Sequence, residues 1–117
     1  QKYLGSTWQS FTEETVIDFN HWKFEELKNL DQIVAESQHL RHCLAESYTP
    51  QIVLGEYVAF HMSSSCLQQH LTLGCHLKNG VLLFDQLEYS NNQKAEQVLV
   101  SMAKQFIEQL NLGHKNH

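Results

Sequence analysis

One short stretch of the chain, ESQHLRHCLAESY at residues 36–48, gathers side chains suited to acid–base and thiol chemistry. Glu36, His39, His42 and Cys43 lie within eight residues of one another. A cysteine becomes a nucleophile near neutral pH only where a base or a positive charge lowers the pKa of its thiol. Because a histidine can be that base and a glutamate can orient it, the stretch is compatible with a cysteine-dependent enzyme.

The stretch lies in a segment with the pattern of a helix. Asn29, with Gln32 three residues later, fits a helix-capping pattern. Ile33, Ser37, Leu40 and Leu44 then follow at helical spacing. The helix should end before Pro50, since a residue that precedes proline avoids the α conformation. We therefore expect one continuous helix from about residue 29 to residue 49.

Helical geometry favours His39 over His42 as the partner of Cys43. Glu36, His39 and Cys43 fall on one flank of a regular helix, beside its apolar stripe. His42 points about 100° away from Cys43, toward solvent. The alternative is structural, since a free cysteine is among the most buried residue types and surface histidines can simply lie beside it.

A metal centre is a further alternative for these side chains. The segment from residue 61 to residue 76 adds possible ligands, namely His61, Cys66, His70, Cys75 and His76. Zinc needs four ligands that converge at about 2.0–2.3 Å, and these spacings match no compact zinc signature. Because Cys75 and His76 are neighbours on one predicted strand, they point to opposite faces. We expect neither a metal nor a cofactor.

The hydrophobic period becomes that of β-strands from Glu56 onward. Three strands are predicted, with the sequences EYVAFHM, QHLTLGCHL and VLLFDQLEY. Asn79-Gly80 predicts a two-residue type I′ turn between the second and the third. That turn determines a register, in which Leu77 faces Leu82, Cys75 faces Phe84 and Leu73 faces Gln86.

The predicted register places Gln86 on the more apolar face of the sheet. A buried amide without partners costs about 1–3 kcal/mol. Gln86 can meet a loop or water at the sheet edge, or it can meet the helix of Glu36, His39 and Cys43 across the core and form a polar pocket. Asn91 and Asn92 can each cap the last helix. The alternative is that they belong to the same pocket.

These elements together predict an α+β fold, a small antiparallel three-stranded meander with helices before and after it packed on one face. A weak helical pattern after Thr12 makes residues 1–24 an N-terminal helical lead-in. Residues 25–113 form a single α+β domain, whose last helix has an apolar stripe and stops at Gly113. Residues 114–117 are a tail.

Composition limits the classes of function. The chain has 117 residues and a net charge of −5, which counts against a non-specific nucleic-acid surface. Three cysteines without a CxxC motif favour a reducing compartment. No signal peptide and no apolar run near the ~20 residues of a membrane span are found, so we expect a cytoplasmic protein with no membrane partner. The first residue, Gln1, suggests a piece of a longer protein.

Residues 36–57 and 70–92 together resemble the PcfJ-like family, which is linked to conjugative plasmids and other mobile elements. The family pattern has a Glu ahead of His-Cys, then a Tyr, a Gly, a pair of strands, and a Gln six residues before an Asn. The matching positions here are Glu36, His42, Cys43, Tyr48, Gly55, Gln86 and Asn92. The resemblance covers roughly residues 25–110. It departs from the pattern at Tyr48, which comes one residue late, and at Tyr89, where a glycine is usual.

The resemblance implies an accessory or interaction domain of a mobile-element protein, with a protein partner or the rest of a longer chain bound to it. It selects His42 where helical geometry favours His39. The first alternative is a cysteine-dependent enzyme, and the second is a nucleic-acid-binding module. The candidate catalytic residues are Cys43, His42, His39 and Glu36, and the candidate binding residues are Gln86, Asn92 and Tyr48.

Overall fold

The structure is a computed structural model that describes residues 7–42 and 44–115. In chain order its elements are β1 (Ile17–Phe19), β2 (Trp22–Glu26), α1 (Leu30–Leu40), α2 (Leu44–Val53), β3 (Tyr57–Ser64), β4 (Gln69–Lys78), β5 (Val81–Glu88), a short 3-10 turn (Ser90–Asn92) and α3 (Gln97–Lys115). The strands form one antiparallel sheet in the order β1-β2-β3-β4-β5. The predicted α+β class is confirmed.

The sheet has five strands in the described residues, so the prediction of three is wrong. The helix expected after Thr12 is replaced by the β1–β2 hairpin, and a boundary between residues 24 and 25 falls inside β2. The segment forms a strand because burial alternates with a period of two, since Trp22 and Phe24 are buried while Lys23 between them is exposed. This alternation suits a strand that pairs with β3.

Helices cover both faces of the sheet, and not one face as predicted. Alternate residues of β3 point to opposite sides. Val58, Phe60 and Met62 belong to a core that includes α3, whereas Tyr57 and Ala59 belong to a second core that includes α1 and α2. We call these two sides the α3 face and the α1/α2 face. The second core exists because the chain crosses from β2 to β3 through two helices.

The predicted continuous helix is divided in two. Its start is confirmed, because Asn29 Oδ1 accepts from the Gln32 N–H at 2.9 Å. Helix α1 then ends at Leu40, and Arg41 adopts the left-handed conformation, with φ 54° and ψ 50°. Helix α2 begins at Leu44 and includes Pro50. Residue 42 therefore lies between two helices and not on the surface of one.

The predicted turn at Asn79-Gly80 is present, and both residues have positive φ as a type I′ turn requires. The predicted pairs Leu77–Leu82 and Cys75–Phe84 are also present. Beyond them the β4–β5 register shifts by a bulge, and the predicted pairing of Leu73 with Gln86 is wrong. Gln86 pairs with Gly74 instead, and Asp85 becomes the extra residue.

Helix α3 differs from its prediction at both ends. It begins at Gln97, so neither Asn91 nor Asn92 is its cap. Both asparagines lie in the 3-10 turn with φ near 60°, a conformation that asparagine tolerates well. The helix continues past Gly113 to Lys115, so the expected tail boundary falls inside it. No helix in residues 7–42 and 44–115 is long and apolar enough to cross a bilayer.

Candidate functional site

A buried glutamate connects α1 to the sheet. Glu36 is 6% exposed, and its carboxylate accepts a hydrogen bond from His61 Nδ1, at 2.8 Å from Oε1 and 2.9 Å from Oε2. Oε2 also accepts from the Thr72 hydroxyl. His61 and Thr72 are opposite each other in the β3–β4 register, so their side chains lie side by side on the α1/α2 face. The single carboxylate of Glu36 can therefore accept hydrogen bonds from both His61 and Thr72.

The network continues from Thr72 to His42. His42 Nε2 lies 2.8 Å from Thr72 Oγ1. Because the single hydroxyl hydrogen of Thr72 is donated to Glu36, Thr72 can only accept from His42. His42 Nε2 therefore carries a hydrogen, and Nδ1 accepts from the Leu44 N–H at 3.4 Å. This arrangement describes a neutral imidazole with both nitrogens engaged.

The break between α1 and α2 gives His42 this position. The backbone N–H groups of Arg41 and His42 both donate to the Ser37 carbonyl, which ends α1. Ser37 Oγ also accepts from the Ala45 N–H at 2.7 Å and holds the first turn of α2. The chain thereby turns at the joint, and the His42 ring reaches the sheet.

The two candidate histidines have different surroundings. His39 is exposed near the end of α1, and its ring contacts the ring of His70 edge-on with 6.2 Å between centroids. His42 instead joins the Glu36 network. Cys43, the candidate nucleophile, lies outside the described residues.

A cavity of about 240 Å³ lies where α2 meets β4, β5 and the turn that follows β5. Its lining comprises His42, Leu44, Ser47, Tyr48, Thr72, Gln86, Glu88 and Asn92. Four of the predicted residues, namely His42, Tyr48, Gln86 and Asn92, are thus brought together. Glu36 is not in the lining, but it bonds to Thr72, which is.

The β-bulge puts Gln86 in this cavity. Without the extra Asp85, Gln86 would point to the α3 face, as the unshifted register predicts. With it, Gln86 and Glu88 pair with Gly74 and Thr72 and share the α1/α2 face. Gln86 and His42 line the same cavity, on the face opposite to the one that the unshifted register predicts for Gln86.

A second polar group holds the bulge in place. The Tyr57 hydroxyl donates to Asp85 Oδ2 at 2.7 Å, and His76 Nε2 lies 3.2 Å from Asp85 Oδ1. Burial, with the carboxylate of Asp85 beside it, raises the pKa of Tyr57 far above its usual value. The phenol therefore stays protonated and remains a donor. Tyr57 also stacks on Tyr48, with ring centroids 4.4 Å apart, and so links the bulge to the cavity.

Residue patterns missed Thr72 and Glu88 as members of the site, and they indicated His61 only as a possible metal ligand. His61, Thr72 and Glu88 carry no helical or motif signal of their own. The available signal was on β4, where His70, Thr72, Gly74 and His76 share one face and none of them has a large apolar side chain. A solvated sheet face has the same alternation, so the covered site on this face follows only from the packing of α1 and α2.

The other sulfur and nitrogen ligands do not form a metal centre. Cys75 is buried on the α3 face, where burial raises the pKa of its thiol, and Cys66 is exposed. Across the described part of the chain, no group of three His, Cys, Asp or Glu side chains is placed to hold a metal ion.

His61 should make folding stability depend on pH. The hydrogen bond to Glu36 raises the pKa of His61, against the opposing effect of burial, and Glu25 adds to the increase. His70 Nδ1 lies 3.1 Å from Nε2 on the other side of the ring. A raised pKa in the folded state stabilises the fold fully below the unfolded value of about 6.5. We expect this stabilisation to be lost as pH rises through the raised pKa of His61.

Urea unfolding near pH 6 and near pH 8 tests this expectation. The loss of stability between the two should be smaller in His61→Gln and in Glu36→Gln than in the unchanged protein. His21→Asn, on the exposed β1–β2 turn, is the control for removing a histidine. An equal pH dependence in all four proteins would contradict the assignment.

No protein-family model, curated protein or solved structure matches the chain. The hydrogen bonds, the burial and the lining of the cavity are the grounds on which a function is inferred.

Proposed function

We propose that the chain is a PcfJ-like domain that serves as an accessory or interaction module of a cytoplasmic mobile-element protein. In this proposal the cavity between α2 and the β4–β5 hairpin receives a group from a protein partner or from the remainder of a longer chain. One observation carries the proposal: His42, Tyr48, Gln86 and Asn92, which match the family pattern in order, line a single cavity although they come from separate segments.

The contacts of His42 favour binding over catalysis. A general base needs a free lone pair directed at the proton that it takes. The Nδ1 lone pair of His42 faces the Leu44 N–H, and its Nε2–H faces Thr72. Glu36 lies behind Thr72 and binds the sheet to α1. These groups hold the wall of the cavity in place.

A cysteine-dependent enzyme is the second candidate, because Cys43 is adjacent in sequence to two lining residues, His42 and Leu44. The pH dependence of thiol labelling separates the two candidates. An activated Cys43 should label with a pKa well below about 8.5. Nucleic-acid binding has less support, since no lysine or arginine is among the described lining residues and the net charge is −5.

Blocking the cavity tests the interaction proposal. Ser47 is exposed on α2 and lines the cavity, so Ser47→Trp should fill it with little effect on folding. Glu46→Trp adds the same bulk at an exposed neighbouring position that the cavity does not include. Each variant would be immobilised and offered the other proteins of its mobile element.

The unchanged protein and Glu46→Trp should retain the same partner, and Ser47→Trp should lose at least about 90% of it, a tenfold weakening of about 1.4 kcal/mol. Recovery of no specific partner, or equal recovery by Ser47→Trp, would overturn the proposal.

A further inference from the structure

The size of the cavity limits its occupant. Its volume is about 240 Å³. Pockets for drug-sized ligands and cofactors span about 300–1,000 Å³. The volume lies just below this range and suits one long amino-acid side chain.

The charge of the cavity is negative. Glu88 contributes a carboxylate to the lining, and within residues 7–42 and 44–115 no salt bridge engages it. Glu36 lies one side chain behind the wall, beyond Thr72, and is paired there with His61. The nearest lysine or arginine along the chain is Lys94, whose backbone pairs with that of Glu88 in an isolated β-bridge. Its side chain is exposed and forms no ion pair with Glu88 within 4.0 Å.

The polar groups of the cavity offer acceptors at several points. The carboxylate of Glu88 accepts only, the Gln86 amide oxygen accepts, and the Ser47 hydroxyl can accept as well. Among the described residues, Gln86 and Glu88 have no hydrogen bond from their side chains to the protein. An arginine guanidinium has five donors and no acceptor, and a lysine ammonium has three donors. Such a group complements this lining, whereas an anion would meet the carboxylate of Glu88 without a compensating cation.

We propose that the cavity binds one cationic side chain, an arginine or a lysine, from the partner. Glu88 is the counter-ion, Gln86 and Ser47 accept further hydrogen bonds, and the neutral His42 ring forms the inner wall. The inference rests on the proposed function, because it names the group of the partner that the cavity receives. Glu88 is a binding residue in this scheme and has no catalytic part.

Small probes test the charge preference directly. N-acetylarginine amide would be titrated into the 15N-labelled protein, with N-acetylcitrulline amide as the neutral analogue of equal shape and N-acetylglutamate as the anionic probe. We expect the arginine probe to shift the backbone amides of Ser47, Gln86 and Glu88. We expect the citrulline probe to bind at least about 10-fold more weakly, a difference of about 1.4 kcal/mol. N-acetylglutamate should not bind.

Two variants test whether the affinity for the arginine probe comes from Glu88. Glu88→Gln should weaken the arginine probe by about 10-fold, as loss of a charge-assisted hydrogen bond implies. Glu46→Gln removes an equal charge from an exposed position of α2 outside the cavity and should leave the affinity unchanged. Unaltered spectra away from the cavity would show that both variants are folded.

The outcomes separate this inference from the proposed function. Equal or tighter binding of the citrulline or the glutamate probe, no shift at all with the arginine probe, or an unchanged affinity in Glu88→Gln would each overturn the cationic occupant. The proposed function is decided independently, by whether Ser47→Trp loses the protein partner that Glu46→Trp retains.

Discussion

Gly74→Ala is expected to lower the free energy of unfolding by about 4 kcal/mol, because a methyl group at this position would overlap Tyr57. A Cβ built on Gly74 lies 2.0 Å from the Tyr57 hydroxyl oxygen and 2.8 Å from Cζ. Both distances are far shorter than any ordinary van der Waals contact. One of the two residues must move.

Tyr57 has little room to move. It is 1% exposed, it stacks on Tyr48 at 4.4 Å between ring centroids, and its hydroxyl donates to Asp85 at 2.7 Å. Overpacking a core costs about 1–3 kcal/mol, and an unsatisfied buried hydroxyl costs about 1–3 kcal/mol more. Displacing the ring would also release the bulge at Asp85 and change the orientation of Gln86 in the cavity.

Chemical denaturation of four variants measures this effect. In a Tyr57→Phe background, which lacks the overlapping oxygen, Gly74→Ala should cost clearly less than it does alone. Gly113→Ala is the matched control, since its Cβ has nothing within 4 Å and alanine favours a helix. A Gly74→Ala protein as stable as Gly113→Ala would refute the packing described for Tyr57.

Glu36→Leu is expected to cost about 3 kcal/mol, although leucine suits a buried position on a helix. The substitution removes the acceptor for His61 and for Thr72, and it leaves the buried Thr72 hydroxyl without its present partner. Unsatisfied buried polar groups cost about 1–3 kcal/mol each, and hydrogen bonds to charged groups contribute about 1.5–3 kcal/mol. The apolar gain of leucine offsets only part of this loss.

Two further variants test whether the loss of stability in Glu36→Leu comes from the lost hydrogen bonds. Gln38→Leu places the same side chain at an exposed position of α1 and should change stability by less than about 0.5 kcal/mol. Glu36→Gln keeps the shape and one acceptor oxygen, so it should cost less than Glu36→Leu.

Imidazole 15N shifts supply a readout beyond stability. In the unchanged protein His42 should show the neutral form with hydrogen on Nε2. In Glu36→Leu the Thr72 hydroxyl is free to donate to His42, so the tautomer should change. A Glu36→Leu protein with undiminished stability and the same His42 tautomer would contradict the network.

Local patterns predicted the elements that have strong local causes. The cap formed by Asn29 and Gln32 and the Asn79-Gly80 turn are present as expected. The turn also determined the register as far as Cys75 and Phe84, because a two-residue hairpin leaves no freedom near its closed end. Each of these features depends on residues that are neighbours along the chain.

Features that depend on distant contacts were not predictable in this way. The bulge at Asp85 is held by Tyr57, 28 residues away, and it moves Gln86 from one face of the sheet to the other. The β1–β2 hairpin was missed because it is stabilised by pairing with β3 and by the α3 core. A register that assumes strict alternation cannot include the bulge. A pattern within residues 12–24 likewise cannot show the pairing with β3.

The sequence by itself determined the α+β class, the hairpin turn and four of the side chains that line the cavity, namely His42, Tyr48, Gln86 and Asn92. The tertiary structure decided that His42 and not His39 joins Glu36, because the chain breaks between α1 and α2 and turns that ring onto Thr72. It also decided on which face the site lies. Both decisions come from single backbone departures: the end of α1 at Arg41 is held by the Ser37 carbonyl, and the bulge at Asp85 is held by Tyr57 from a distant strand.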